Sequence, residues 1–73
     1  MVLTLENRRQ KKGFTYREIQ RLVGIDKTTA FFHHKGQSQP GIVDTHTYSR
    51  LYGCSMEAIY KGWVKAQAEG GSR

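Results

Sequence analysis

The sequence has 73 residues, 37% of them hydrophobic, and a net charge of +6 that is concentrated in residues 1–36, where eight lysines and arginines outnumber three acids. A chain of this length supports one small core with little room for an enclosed active-site cleft, which favours binding over catalysis. No stretch has the length and apolar character of a membrane span or a signal peptide, so we expect a cytoplasmic protein.

Glycines divide the chain into segments suited to short helices, and no segment shows sustained strand alternation. A first helix is predicted from Thr4 to Lys12, with Leu5 toward the core and the basic side chains outward. Gly13 then ends it. A second helix begins at Thr15, because Thr15 and Glu18 have the spacing of a capping box, in which each side chain accepts from the other residue's backbone N–H.

The second helix is predicted to end at Gly24, because glycine tolerates the positive φ of a helix terminus. A third helix follows over residues 27–34, capped by Asp26 and closed by Gly36. Two short helices separated by a few residues that include glycine have the layout of a helix-turn-helix, here over about residues 15–35.

A fourth helix, from Ile42 to Tyr52, follows a short loop. Ser55 caps a fifth helix, which either stops near Gly62 or continues beyond it. Residues 67–73 are predicted to be a flexible tail beyond a single domain of residues 1–66. The sequence thus predicts an all-α, compact five-helix domain that contains a helix-turn-helix.

The uneven distribution of charge indicates what kind of partner the chain binds. Residues 1–36 carry a net charge of +5, whereas residues 37–73 carry only +1. A basic half suits a phosphate backbone, because each neutralised phosphate releases condensed counterions. A basic surface that only keeps the protein soluble is the alternative that charge alone leaves open.

Four segments of the sequence have an order and spacing typical of one family. They are Lys12-Gly13-Phe14-Thr15 before the second helix, Leu22-Val23-Gly24-Ile25 at the turn, Gly36 with Gln39-Pro40 after the third helix, and Tyr52-Gly53-Cys54-Ser55-Met56 before the fifth. Over residues 5–60 the chain therefore resembles the Cro/CI-type (XRE-like) helix-turn-helix regulators of phages and bacteria. The resemblance implies a lambda-repressor-like fold and a sequence-specific repressor that occupies an operator in double-stranded DNA.

The resemblance also implies which residues contact DNA, because the third helix of such a protein docks in the major groove. The base readers are then Lys27, Thr28, Phe31 and Phe32. The residues placed to hold the DNA backbone are Tyr16, Arg17, Lys35, Gln37 and Ser38. Two adjacent phenylalanines cannot both be core on a helix, so one stays exposed even if the other turns inward beside Ala30.

The chain departs from the family at three positions. Gln20 stands where a small alanine is usual, Ala30 where a large aliphatic residue is usual, and His33 where an apolar residue is usual. Because a buried amide needs a hydrogen-bond partner, we expect Gln20 to contact His33.

The C-terminal segment is rich in aromatic residues that exceed what so small a core needs. Tyr60, Trp63 and Val64 are the candidate interface of a homodimer that presents two recognition helices to a palindromic operator. An alternative is that Trp63 only covers the core of the monomer. An alternative for the whole chain is a protein-interaction module on the same fold, of the antirepressor or antitoxin type.

Catalytic and metal-binding functions receive no support from the sequence. His33 and His34 are adjacent on a helix and diverge by about a quarter turn, and no CxxC or HExxH spacing is present. There is no glycine-rich phosphate loop either. We therefore expect no enzymatic activity, metal, cofactor or small-molecule ligand.

Overall fold

Residues 2–71, which the computed structural model describes, form five α-helices and contain no strand. The helices are α1 (Leu5–Lys12), α2 (Tyr16–Val23), α3 (Lys27–Lys35), α4 (Ile42–Tyr52) and α5 (Met56–Ala66), followed by a π-helical turn over Gln67–Gly71. They pack into one compact globule, so the predicted all-α, five-helix architecture is confirmed. No helix in this part of the chain is long and apolar enough to cross a membrane.

Four of the five helices begin at a side-chain cap, and α4 begins after Gly41 without one. Thr15 and Glu18 form the predicted reciprocal box: the backbone N–H of Glu18 donates to Thr15 Oγ1 at 3.1 Å, and that of Thr15 donates to Glu18 Oε1 at 2.8 Å. Asp26 accepts from the backbone N–H of Thr28 at 2.9 Å, and Ser55 caps α5 in the same way. These contacts satisfy N–H groups that have no partner inside the helix.

Glycines end the first four helices in the left-handed region, as predicted. Gly24 closes α2 with φ of 82°. Gly36 closes α3 with φ of 76°, and a Cβ there would lie 2.5 Å from the backbone nitrogen of Gln67. The end of α3 therefore lies directly against the end of α5, at a distance that only glycine allows.

All five helices contribute to one core. Its buried apolar side chains are Leu5 from α1, Ile19 from α2, Ala30 from α3, Tyr48 and Tyr52 from α4, and Ile59 and Trp63 from α5. Helices of eight to eleven residues are marginal in isolation. Burial of these shared side chains, rather than the propensity of any one helix, therefore holds the fold together.

The predicted contact between Gln20 and His33 is wrong. Gln20 is exposed on α2, whereas His33 is buried with Nδ1 3.0 Å from the hydroxyl of Tyr48. The physical reason is that α4 places a tyrosine hydroxyl where His33 enters the core. The hydroxyl of Tyr48 thus replaces Gln20 as the partner of His33, and the side chain of Gln20 is exposed to solvent.

Helix α5 runs past Gly62 to Ala66, which is the longer of the two predicted courses. A Cβ at Gly62 would collide with the carbonyl oxygen of Leu3, so this glycine lets the N-terminal segment lie against α5. The predicted tail, residues 67–73, starts where α5 ends. Its first five residues wind into the π-helical turn, and residues 72 and 73 lie outside the described residues.

Candidate nucleic-acid interface

Helix α3 has a buried side and an exposed side. The buried side carries Ala30, His33 and His34. The four predicted base readers are all exposed to solvent: Lys27, Thr28, Phe31 and Phe32. Side chains four residues apart on a helix are neighbours, so Lys27 lies beside Phe31 and Thr28 beside Phe32. The structure thus brings the four together on the side of α3 that faces away from the core.

Neither phenylalanine enters the core. Phe31 is 37% exposed and Phe32 39% exposed, and their rings meet edge to face with centroids 6.0 Å apart. The sequence left open whether one ring would turn inward beside Ala30. Both stay at the surface because the two histidines occupy the inward positions that follow Ala30 on this helix.

A cleft of about 450 Å³ opens between the N-terminal ends of α2 and α3. It is lined by Thr15, Tyr16 and Arg17 from the start of α2 and by Lys27, Thr28 and Phe31 from α3. The rings of Tyr16 and Phe31 meet edge to face at 5.4 Å inside it. Residues that lie ten or more positions apart in the sequence therefore share one concave surface, which is apolar inside and carries the cations Arg17 and Lys27.

Tyr16 is held in place by residues of α1. Its hydroxyl donates to Glu6 Oε1 at 2.6 Å, and the guanidinium of Arg9 lies 4.3 Å from the centre of its ring. Burial and, next, the hydrogen bond to Glu6 raise the pKa of Tyr16 well above its usual value. Tyr16 was predicted to contact a phosphate, but in this arrangement its hydroxyl proton is already committed to Glu6. Its ring, not its hydroxyl, is what it offers to the cleft.

Glu6 is the centre of an ion-pair cluster that was not predicted from the sequence. Arg9 donates to Glu6 through Nε at 2.9 Å and Nη2 at 2.7 Å, and Lys35 Nζ lies 3.6 Å from the same carboxylate. The hydrogen bonds from Arg9 lower the pKa of Glu6 to about 2. The spacing of Glu6 and Arg9 along one helix was the only signal in the sequence. Through this cluster α1 supports both Tyr16 and the end of α3.

The remaining predicted backbone contacts lie at the end of α3. Lys35 Nζ is shared between Glu6 and the ring of Phe31, whose centre is 5.6 Å away. Gln37 and Ser38 are exposed, and their backbone N–H groups donate to the carbonyl of Phe32. Their backbone N–H groups are therefore not available to a phosphate, whereas their exposed side chains are.

Arg17 and Lys27 are the cations of the site that form no ion pair among the described residues. Both are exposed, and neither forms an ion pair with another of residues 2–71. Asp26, the only acid beside Lys27 in the chain, is occupied in capping α3. Two cations therefore stand beside the cleft with no acid of the described chain neutralising them.

Behind the exposed side of α3, two histidines join it to α4. His34 Nδ1 donates to the carbonyl of Ala30 at 2.7 Å, which leaves Nε2 to accept from the hydroxyl of Tyr52 at 2.8 Å. The ring of Tyr52 stacks on that of Tyr48, which in turn contacts His33. Burial lowers the pKa of His34 to about 4. No pattern in the sequence indicates this network, which fixes the position of α3.

Comparisons with known proteins add nothing to this geometry. No family model, curated protein or solved structure matches the chain. The function is therefore argued from the site itself.

The three residues predicted to form a dimer interface separate in the structure. Tyr60 is 53% exposed and Val64 39% exposed, one helical turn apart on α5. Trp63 is buried, and its indole N–H donates to the carbonyl oxygen of Ser38 at 2.9 Å. The prediction for Trp63 is thus corrected in favour of the alternative, because this side chain covers the core and binds the loop after α3.

Proposed function

We propose that the chain is a sequence-specific regulator that places α3 in the major groove of double-stranded DNA. The observation that carries the proposal is the exposed side of α3, where Lys27, Thr28, Phe31 and Phe32 stand together beside a cleft shared with α2. A short helix joined to its predecessor by a tight glycine turn is the form in which helix-turn-helix proteins present base-reading side chains.

The electrostatics of the site support a polyanionic partner. Arg17 and Lys27 flank the cleft, and most of the net charge lies in the half of the chain that contains it. Lys27 donates to guanine O6 or N7 in this proposal, and Thr28 offers a hydroxyl and a methyl group to a neighbouring base. Arg17, Lys35, Gln37 and Ser38 hold phosphates, which position the protein without reading sequence.

Repression by occupancy of an operator requires only the surface that contacts DNA. A bound protein excludes the polymerase from a promoter without a ligand domain or a surface for the polymerase. Within this proposal two copies associate through Tyr60 and Val64, which form an exposed apolar pair on α5. A twofold dimer matches a palindromic operator.

A protein-interaction module is the second candidate, and one observation favours it. Ile42 and Val43, at the start of α4, are 78% and 73% exposed, more than any other large hydrophobic residue described. Adjacent exposed aliphatic residues are typical of surfaces that bind another protein. This candidate replaces the first if the chain binds no duplex.

Selection of duplexes from a random pool separates the two candidates. We expect the wild-type chain to enrich one short sequence and the double variant Lys27→Ala, Thr28→Ala to enrich none, although it remains folded. Lys61→Ala is the matched control, because Lys61 is an exposed lysine of α5 that pairs only with Glu57 among the described residues. Failure of the wild type to enrich any duplex contradicts the DNA-binding proposal.

A further inference from the structure

The cleft between α2 and α3 is an unusual surface for a site that meets DNA, because its interior is aromatic. Tyr16 and Phe31 form that interior, and Arg17, Lys27 and Thr28 line the rest of its wall together with Thr15. Phosphates and most base edges are polar, and burying them against aromatic rings leaves them without partners. The cleft therefore selects an apolar group on an otherwise polar ligand.

The aromatic interior is also pre-organised. The ring of Phe31 is packed by Tyr16 at 5.4 Å and by Phe32 at 6.0 Å, with the ammonium of Lys35 5.6 Å from its centre. Tyr16 is in turn fixed by Glu6 and Arg9. An apolar ligand group thus meets rings that are already in position, so little conformational entropy is lost on binding.

Among the groups that line the major groove of DNA, the apolar one is the methyl group at C5 of thymine. 5-Methylcytosine carries the same group at the same ring position. We propose that the cleft receives the C5-methyl group of a pyrimidine against Phe31, so that the protein distinguishes thymine and 5-methylcytosine from uracil and cytosine. This inference rests on the proposed function, since it presumes that α3 lies in the major groove.

Phe31, rather than Phe32, carries this role because of its place on α3. Phe31 follows Lys27 by four residues and Thr28 by three, and all three line the cleft. Phe32 lies outside the lining, although it is equally exposed. The base beside the methylated pyrimidine is then the one within reach of Lys27.

Uracil substitution tests the proposal, because it removes the methyl group and changes nothing else in the major groove. Each thymine of the selected duplex is replaced by uracil in turn, and the affinity of the full chain is measured. We expect one position at which the loss is about fourfold, the effect of one buried methyl group. That thymine is then replaced by cytosine in one duplex and by 5-methylcytosine in another. The duplex with 5-methylcytosine should bind more tightly than the one with cytosine by a similar factor.

Variants assign the methyl group to its residue. At the sensitive position, Phe31→Ala should bind thymine and uracil duplexes equally, and Phe31→Leu should prefer thymine less than the wild type does. The control Lys61→Ala, on α5 and outside the cleft lining, should keep the full preference. Thermal unfolding followed by circular dichroism verifies that each variant is folded. If Phe31→Ala is not folded, a reduced preference for thymine in Phe31→Leu tests the assignment in its place.

The outcomes separate this inference from the proposed function. A chain that enriches a duplex yet tolerates uracil at every position overturns the methyl site and leaves DNA binding intact. A preference for thymine that persists in Phe31→Ala also overturns it, because the methyl group is then read elsewhere. A chain that enriches no duplex overturns the proposed function itself.

Discussion

Nε2 of His34 on α3 accepts a hydrogen bond from the hydroxyl of Tyr52 on α4, 2.8 Å away. The other ring nitrogen donates to the carbonyl of Ala30, so the neutral imidazole satisfies both of its buried contacts. A protonated ring would bring a second N–H and a charge into the core, which burial opposes. The candidate recognition helix is therefore attached to the core through a group that must stay neutral.

We predict that the free energy of unfolding decreases as the pH falls below about 6.5. Burial lowers the pKa of His34 to about 4 and also lowers that of His33, so the unfolded chain takes up protons first. The contribution of His34 is fully present above its ordinary pKa of 6.5 and is lost as the pH falls through about 4. Its slope reaches about 1.4 kcal/mol per pH unit between those values.

Urea unfolding across this pH window measures the effect. His34→Gln, whose amide can keep both hydrogen bonds, should flatten the pH dependence, whereas His46→Gln, which changes an exposed histidine, should not. Equal slopes in wild type and His34→Gln would contradict the assignment.

The ion-pair cluster yields a second prediction. Glu6→Gln should lower the free energy of unfolding at neutral pH by about 1–3 kcal/mol, because Arg9 loses a two-pronged ionic partner and Tyr16 a charged acceptor. The depressed pKa of Glu6, about 2, means that its contribution is present above the ordinary value of 4.5 and is lost as the pH falls through 2. Glu57→Gln breaks the exposed pair with Lys61 and should change stability by less than about 0.5 kcal/mol. Chemical denaturation that finds the two variants equally unstable would rule out a special role for the cluster.

Two glycines with similar backbone angles should respond differently to alanine. The Cβ of Gly24→Ala would meet open space. This variant should lower the free energy of unfolding by about 1–2 kcal/mol, the cost of a left-handed backbone at a residue with a Cβ. Gly36→Ala has the same backbone cost, and its Cβ would also lie 2.5 Å from Gln67 N and 2.7 Å from Ala66 C. We expect a melting temperature clearly lower for Gly36→Ala than for Gly24→Ala. Equal melting temperatures would mean that α5 does not lie against the end of α3 in solution.

Base readers and phosphate contacts should fail in different ways. Lys27→Ala or Thr28→Ala should weaken binding to the selected duplex by about 1–3 kcal/mol and to unrelated duplexes much less. Arg17→Ala should weaken both to a similar degree and reduce the slope of log affinity against log salt by about one. Binding titrations at several salt concentrations measure both effects. If Arg17→Ala changes the preferred sequence while Lys27→Ala does not, a different helix enters the groove.

Self-association should depend on Tyr60 and Val64 and not specifically on Trp63. Sedimentation of the wild type should shift toward dimer with concentration, and the double variant Tyr60→Ser, Val64→Ser should stay monomeric and folded. Trp63→Ala should instead lower stability by about 3–5 kcal/mol, because it opens a cavity in the core. A wild type that remains monomeric at high concentration removes the dimer from the proposal.

How far the sequence predicted the site can be seen from α3. Its cap, its closing glycine and the exposure of Lys27 and Thr28 follow from helical periodicity and from contacts within one turn. The surface position of both phenylalanines does not follow, because the periodicity of α3 also allowed one of them to lie inward. The partner of His33 decided that question, and it lies on another helix.

The sequence by itself determined where most of the helices begin and end, because capping side chains and left-handed glycines act on backbone groups within four residues. The end of α5, which no glycine closes, was left open. Only the tertiary structure decided which polar side chains meet: Tyr16 with Glu6, Tyr48 with His33, and Trp63 with Ser38. These partners are 10, 15 and 25 residues apart in the chain. Their pairing depends on how the helices pack around the shared core, and several donors and acceptors of suitable chemistry compete for each place. The cleft beside Phe31 exists for the same reason, since its two walls belong to different helices.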